Sequence, residues 1–296
     1  MKIAIIVLNY NGLQNTLECI DSIGLQTQKG INLETIVVDN ASKDQSTVTL
    51  KKIKDIVLIA NKNNLGYSGG NNVGIKYALE NKADYICVIN NDVKLEKDLI
   101  INLLKSAKNS IVSPKIYFYP GFEFHKKRYK KSCLGKVIWY AGGFIDWNNV
   151  IGIHRGVDEV DQGQYDKTEE VEYATGACIF AKSDVFKKVG LFDERYFLYL
   201  EDMDFSLRTK KMGYRIIFEP KAILWHKNAA SAGGSGSKIQ DYYISRNRLL
   251  FAFRYAKPKI KFAVFKQIIS QSNDPIKRAA LIDFMTRNLG RSTRNL

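Results

Sequence analysis

The sequence predicts an α/β fold with a mostly parallel central sheet covered by helices on both faces. Three observations carry this. Short apolar runs recur four times between Ile3 and Ile89, each ends in a polar loop, and a helix-like stretch follows each loop. Ile3–Leu8 is continuously apolar, as a strand buried on both faces must be. It stops at Asn9-Tyr10-Asn11-Gly12, and a helical pattern runs on to about Leu25. Leu33–Val38 is the second run, ending in Asp39-Asn40-Ala41-Ser42 with a helix after it. Ile56–Ala60 is the third, ending in Asn61-Lys62-Asn63-Asn64 before a glycine-rich loop opens the helix GYSGGNNVGIKYALE. Tyr85–Ile89 is the fourth and ends in Asn90-Asn91-Asp92.

The polar residues thus follow the carboxyl ends of strands, where open α/β sheets bind ligands, so Asn9, Asp39, Asn61 and Asp92 are expected to line one crevice. No G-x-G-x-x-G follows the first strand and no GxxxxGK[ST] occurs anywhere, which argues against a dinucleotide or P-loop site. Gly66, Gly69 and Gly70 either admit a ligand close to the backbone or form a plain flexible turn. Asp92 at the end of a buried strand can hold a hard divalent cation, and Asn90, two residues earlier, shares its side if the strand geometry continues. A simple turn triplet is the competing reading.

The most informative stretch runs from Thr175 to Lys227. Glu201, Asp202 and Asp204 follow the run Tyr196–Leu200 and open a helix whose end is basic, at Arg208, Lys210 and Lys211, and is stopped by Gly213. Ordinary capping of a surface helix is one reading. The apolar run that delivers the acids, and the strand-like Arg215–Phe218 followed by Trp225-His226, favour a site in which crowded carboxylates repel and one accepts a proton.

The 296 residues are 45% hydrophobic and 25% charged, enough for one large or two smaller domains. The four cysteines are far apart and form no C-x-x-C pair, as expected of buried thiols in a reducing compartment. MKIAIIVLNYNG reads as a first strand rather than a secretory signal, and no window approaches the ~18 apolar residues of a membrane span, so a cytoplasmic chain is expected. Lys+Arg 45 against Asp+Glu 30 gives +15 and favours an anionic partner: nucleic acid, phosphorylated substrate or acidic membrane. Against nucleic acid, the basic cluster Lys126–Lys136 belongs to no nucleic-acid-binding motif and the acidic rim would repel phosphates. Pro120–Glu172 reads as loops or a β-excursion, Ala229–Ser237 as a flexible linker or lid, and Lys238 to about Phe265 as helices. Aromatic and lysine residues interleave over Lys257–Lys266, as on a helix that touches anionic lipid. GRSTRNL at the end reads as frayed.

In order, the motifs VLNYNG, VVDNAS, NNLGYSGGNNVGI, VINNDV, TGACIFAKSDVFKKVGLFDERYF, YLEDMDFSLR and LWHK resemble the family 2 glycosyltransferases of GT-A fold, in the rhamnosyltransferase-like branch, over Ile3–Arg248. The resemblance implies a Rossmann-like, mostly parallel sheet with a C-terminal helical extension, divided as 1–228 (transferase), 229–237 (linker or lid) and 238–296 (helical region). It implies inverting transfer from a nucleoside diphosphate sugar, dTDP-rhamnose or a UDP-sugar, to a hydroxyl of a glycan or lipid-linked saccharide in surface polysaccharide synthesis. Mg²⁺ or Mn²⁺ would assist, and the enzyme would be cytoplasmic and peripheral at the inner face of an anionic membrane. Asn9 and Asn11 stand where the first loop meets the nucleotide, Asp39 where an acid meets the base, and Asn61 to Gly70, with Gly66, over nucleoside and donor; Asn71, Asn91 and Gly176 are grouped with them. Asn90-Asn91-Asp92 stands at the D-x-D position, Asp92 as metal ligand and Asn90 replacing the first acid, while His226 completes the metal or diphosphate site. Glu201-Asp202 falls at the catalytic-base position, with Asp202 as base, Glu201 as the alternative and Asp204 as a brace. Two other classes compete: a non-catalytic sugar-nucleotide-binding module, prompted by Asn90, and a nucleic-acid-binding protein, prompted by the charge.

Overall fold

The computed structural model describes residues 1–28, 30–125, 127–228 and 236–294. The first half alternates as the apolar runs predict: β1 (Lys2–Asn9), α1 (Leu13–Gly24), β2 (Asn32–Asp39), α2 (Ser46–Leu50), β3 (Ile56–Ala60), α3 (Gly66–Glu80) and β4 (Tyr85–Asn90). Short β5 (Val93–Leu95), α4 (Leu99–Ser106) and β6 (Ser110–Phe118) follow. The irregular middle is a β-excursion: β7 (Ile138–Tyr140), the hairpin β8 (Gly143–Asp146) and β9 (Ile151–His154), and β10 (Glu169–Glu170). Then come β11 (Cys178–Lys182), α5 (Ser183–Val189), α6 (Glu201–Lys211), β12 (Arg215–His226), and the helices α7 (Lys238–Tyr255), α8 (Pro258–Ser270) and α9 (Pro275–Met285).

One sheet organises these elements in the order β10-β12-β6-β11-β4-β1-β2-β3. β3, β2, β1 and β4 are mutually parallel, β11 is antiparallel to both β4 and β6, and β12 runs parallel to β6. Ile3–Val7 and Ile86–Ile89 are fully buried, because helices cover both faces and leave no solvent side for polar alternation. Cys87 on β4 and Cys178 on β11 are diagonal neighbours, opposite Phe180 and Ile89, and are free buried thiols with their Sγ atoms 4.0 Å apart.

Three sequence expectations change. β12 continues beyond Phe218 to His226; Pro220 interrupts the ladder only locally, where the pairing with β6 shifts between Glu219 and Ile223. A bulge absorbs a residue that cannot donate to the ladder. The helices read to about Phe265 run further, and α9 lies within the helical region 238–296: Asp274 caps it by accepting the N–H groups of Ile276 and Lys277, and Pro275 opens it. Of the segment GRSTRNL read as frayed, residues 295–296 lie outside the described residues, and 290–294 are tied down: Gly290 N–H donates to Arg195 O at 2.7 Å and Ser292 N–H to Tyr243 Oη at 3.0 Å. Of the linker at 229–237, residues 229–235 lie outside the described residues; Ser237 caps α7 by accepting the Gln240 N–H. No described helix is long and apolar enough to cross a membrane.

Candidate active site

Register brings the strand ends to one level: Asn9 pairs with Asp39, Leu8 with Asn90, and Asp39 with Ala60. A cavity of about 680 Å³ opens in front of them, walled by Asn90, Asn91 and Asp92 after β4, His226 at the end of β12, Gly176 before β11, and Glu201 and Asp202 on α6. Residues from the C-terminal region, Tyr243 and Arg291 to Ser292 among them, close it. A larger concavity of about 990 Å³ lies between Lys94, Lys115, Tyr117 and Trp225. The carboxylates lining that one, Asp161 and Asp166, are both held by Lys115 at 2.8 and 2.6 Å, so it offers no uncommitted base. Trp225 and His226 are neighbours on one strand and face opposite sides of the sheet, which separates the two concavities.

Not every predicted residue reaches the cavity. Asn9 and Asp39 are buried behind it: Asn9 Nδ2 donates to Asp39 Oδ1 at 2.7 Å, and Asp39 Oδ2 accepts from Thr47 Oγ1 at 2.8 Å and Ser42 N–H at 3.3 Å. Asn11 accepts the Lys43 N–H at 2.7 Å and Asn61 Nδ2 donates to Asn40 Oδ1 at 3.0 Å, so both tie loops together. Asn71 is inside α3, donating to Tyr67 O. Glycine at 70 serves packing, since a Cβ there would sit 2.4 Å from Leu8 Cδ1. Gly66, at φ +72, does line the cavity, and its missing Cβ makes room for Phe197 O rather than for a ligand. These residues shape the strand ends, as does buried Asn40, whose amide is spent on Asn61, Asn64 and Leu65; Asn64 and Tyr10 present the polar surface there.

At one corner, His226 Nε2 faces Asp92 Oδ1 at 3.0 Å and Asn90 Nδ2 at 3.3 Å. All three come from the ends of β4 and β12, and Asp92 and His226 are each 4% exposed. One ring nitrogen cannot donate to the carboxylate and accept from the amide at once. The buried Nδ1 of His226 has no hydrogen-bond partner among the described residues. Trp139 stacks edge-on against both His226 and His154, and burial lowers the His154 pKa to about 4, so that ring is neutral. Among the described residues no three His, Cys, Asp or Glu side chains cluster as a metal site.

On the facing wall Asp202 and Glu201 open α6, and their environments differ. Asp202 Oδ2 accepts the Gly176 N–H at 2.9 Å and Oδ1 accepts its neighbour Met203's N–H at 2.8 Å. Glu201 is 5% exposed and its Oε2 has no partner among the described residues. Burial, and then Asp202, push the Glu201 pKa well up; burial also raises Asp202, but the two N–H groups oppose that. Glu201 is therefore the carboxyl that keeps a proton longest, and Asp202 the carboxylate that faces the cavity charged. Asp204 turns away and is saturated by Arg208, Arg254 and Tyr255 at 2.6–2.8 Å, the bracing role expected of it.

The turn that aims Asp202 was not legible. Phe197, Tyr199 and Leu200 all have positive φ, between +63 and +70, which is unusual for bulky residues and needs outside support. Asn247, fully buried on α7, supplies it by donating to the carbonyls of Tyr196, Leu198 and Tyr199 at 2.7–3.0 Å. Arg246 donates to the carbonyls of Arg195, Tyr196 and Gly290. The one sequence signal was polar Arg246-Asn247 next to the apolar Leu249–Phe253.

A sequence profile described as "Glycosyl transferase family 2" matches residues 4–190, more than half of the chain. The chain belongs to glycosyl transferase family 2. Among relatives of this transferase, a low-salt glycan biosynthesis hexosyltransferase of Haloferax volcanii is 26% identical over 275 residues, 90% of this chain and 82% of its own. An N-acetylglucosaminyl-diphospho-decaprenol L-rhamnosyltransferase of Mycobacterium tuberculosis is 27% identical over 227 residues, 72% of this chain and 71% of its own. GalNAc-T7 with UDP, GalNAc and Mn²⁺ superposes with TM-score 0.62 at 14% identity, covering 88% of this chain and 54% of that longer one. A mannosyltransferase from Pyrobaculum calidifontis with GDP-Man and Mn²⁺ gives TM-score 0.55 at 16% identity over 99% of this chain and 76% of its own. These likenesses establish the GT-A fold, and the family makes the protein a glycosyltransferase.

Proposed function

We propose that the enzyme transfers a sugar, with inversion, from a nucleoside diphosphate sugar to a hydroxyl of a glycan or lipid-linked saccharide. The observation that carries this is a single cavity with the Asp92, Asn90 and His226 corner on one wall and Asp202 on another. In the reading, the acceptor hydroxyl oxygen forms a bond to the anomeric carbon as the carbon–oxygen bond to the diphosphate breaks. Asp202 takes the hydroxyl proton, and the nucleoside diphosphate leaves with the electron pair. Tyr10 and Asn64 at the strand ends face the nucleoside, and Gly176, whose N–H orients Asp202, borders the sugar.

The corner fits a divalent cation. Turning the Asn90 amide so that its oxygen faces inward gives one carboxylate, one imidazole and one amide oxygen, and it removes the conflict at His226 Nε2. A single carboxylate with an imidazole suits Mn²⁺ better than Mg²⁺. The cation would offset the charge that develops on the leaving diphosphate. The Mn²⁺ present with GalNAc-T7 and with the Pyrobaculum calidifontis mannosyltransferase agrees. Dividing the chain at 1–228 and 238–296 follows the same reading, with the second part completing the cavity. A lipid-linked acceptor is supported by the name of the mycobacterial relative. Peripheral membrane contact is supported by α8, where Lys259, Phe262, Lys266 and Ile269 fall on one exposed stripe and Phe262 is 69% exposed.

The test is a thermal-shift panel of UDP-, dTDP- and GDP-sugars with and without Mn²⁺ or Mg²⁺, then anomeric analysis of the product by NMR. A metal-dependent shift with one nucleotide class, lost in Asp92→Ala, and a product of opposite anomeric configuration are expected. No shift with any donor, or retained configuration, overturns the proposal.

A further inference from the structure

The cavity is rich in carboxylates and poor in cations. Asp92, Glu201 and Asp202 line it, and among its described lining residues the lysines and arginines are Arg291 and Arg294 alone. Thus the charge of +15 is spent elsewhere on the molecule. Arg294 is committed, since its Nε and Nη2 donate to Asp283 at 2.8 and 2.7 Å. The Arg291 guanidinium has no hydrogen-bond or ion-pair partner among the described residues, and the residue is exposed.

Its backbone, by contrast, is held on both sides. Gly290 accepts from Arg246 Nη1 at 2.7 Å and donates to Arg195 O at 2.7 Å. Ser292 N–H donates to Tyr243 Oη at 3.0 Å, and the Arg294 pair follows. Gly290, at φ +82, lets the chain turn into the cavity mouth. Arg291 lies close enough to Tyr243 for its charge to oppose the rise that burial gives the tyrosine pKa. Tethered backbone with an untethered guanidinium is the arrangement of a side chain awaiting an anion. Arginine's planar fork matches phosphate oxygens bidentately.

We infer that Arg291, carried by the pinned C-terminal segment, is the diphosphate-binding cation of this site. The inference rests on the glycosyltransferase reading above and extends it. With Asn90 neutral, the Asp92 corner binds a cation less tightly than a two-acid corner would, so more of the diphosphate charge falls to a side chain. Two substrates carry that group: the nucleoside diphosphate donor, and an acceptor linked to a polyprenyl chain through a diphosphate.

The experiment uses the full chain, with Arg291→Gln and Arg291→Lys variants. Binding of UDP, dTDP and GDP with Mn²⁺ is measured by calorimetry. KM is measured for donor, for a polyprenyl-diphosphate-linked N-acetylglucosamine, and for the same sugar on a plain alkyl chain. Because the guanidinium has no partner among the described residues, both variants are expected to keep the wild-type melting temperature. Loss of a charge-assisted pair is expected to weaken nucleoside diphosphate binding about 10- to 100-fold in Arg291→Gln, with partial recovery in Arg291→Lys. If nucleotide binding holds but KM rises by that factor for the diphosphate-linked acceptor alone, the acceptor is the source of the group. Unchanged nucleotide binding and unchanged KM for both acceptors overturn the assignment while leaving the transferase reading intact. Failure of the wild-type chain to bind any nucleoside diphosphate would instead remove that reading and this inference together.

Discussion

Asn247→Ala removes the clamp on the turn that aims Asp202, and its effect can be sized from the structure. The two N–H groups of the Nδ2 amide, shared among the carbonyls of Tyr196, Leu198 and Tyr199, disappear. At about 1 kcal/mol each their loss costs about 2 kcal/mol, and the buried carbonyls left short of a donor bring the total to about 3 kcal/mol. The turn they hold contains Phe197, Tyr199 and Leu200 at positive φ, each strained by about 1–2 kcal/mol, so the freed segment has a reason to relax. Leu200 is two residues from Asp202, and displacements of about 1 Å at a reacting group can cost about 100-fold in rate. The prediction is a fall in unfolding free energy of about 3 kcal/mol by urea titration, with kcat down about 100-fold. Donor binding should be weakened far less, because the clamp touches the wall that carries the base. Asn247→Asp should be worse, since a carboxylate would face three carbonyl oxygens. A variant within about 0.5 kcal/mol of wild type that turns over normally would refute the reasoning.

Asp202→Asn keeps shape but removes the base, so kcat should fall about 10²- to 10⁴-fold with donor KM little changed. Burial raises the Asp202 pKa, so the acid limb of wild-type kcat/KM should lie above the ordinary carboxylate value of about 3.9; a limb at or below it counts against Asp202. Glu201 is also raised, so the folded state holds a proton that the unfolded chain releases. That contribution is present below the unfolded value of about 4.3 and is lost as pH rises through the folded one. Glu201→Gln cannot ionise, so its melting temperature should exceed the wild type's increasingly above about pH 4.3, and a constant difference would contradict this. Gly66→Ala places a Cβ 2.4 Å from Phe197 O at φ +72; a loss of at least about 2 kcal/mol is expected in urea titration, and neutrality would refute the stated close approach.

Strand and loop order was legible because it rests on periodicity, which is local. Fully apolar runs ending in Asn or Asp report both a buried parallel strand and the side on which its loop opens, and Asn9, Asp39, Asn90 and Asp92 came to that side. Which of those polar residues faces a ligand was not legible, since an amide that braces a loop and one that binds a nucleotide have the same sequence. Asn9 and Asp39 bond to each other across adjacent strands, and only register decides that. Asn40, one residue on from Asp39, lines the cavity. The C-terminal contribution was least legible. Arg246 and Asn247 contact residues about fifty positions earlier, and nothing between Leu249 and Arg291 marks the chain's return to the site.

The acids of α6 show how the fold separates structural from chemical charge. Asp202 and Asp204 are two positions apart, so on a helix they point to nearly opposite sides. Arg208, Arg254 and Tyr255 converge on Asp204, where a cation can only strengthen the join between α6 and α7. An arginine equally close to Asp202 would hold that carboxylate deprotonated and make it a poor proton acceptor. Backbone N–H groups from Gly176 and Met203 orient Asp202 without adding a full positive charge, so they only partly offset the basicity that burial gives it. The charge of Asp202 in turn adds to burial in raising Glu201, so of the two acids Glu201 is the one more strongly held in its protonated form. Keeping lysine and arginine away from this wall is thus a requirement of base catalysis. The same requirement fits the arrival of the cavity's Arg291 on the C-terminal segment rather than on α6.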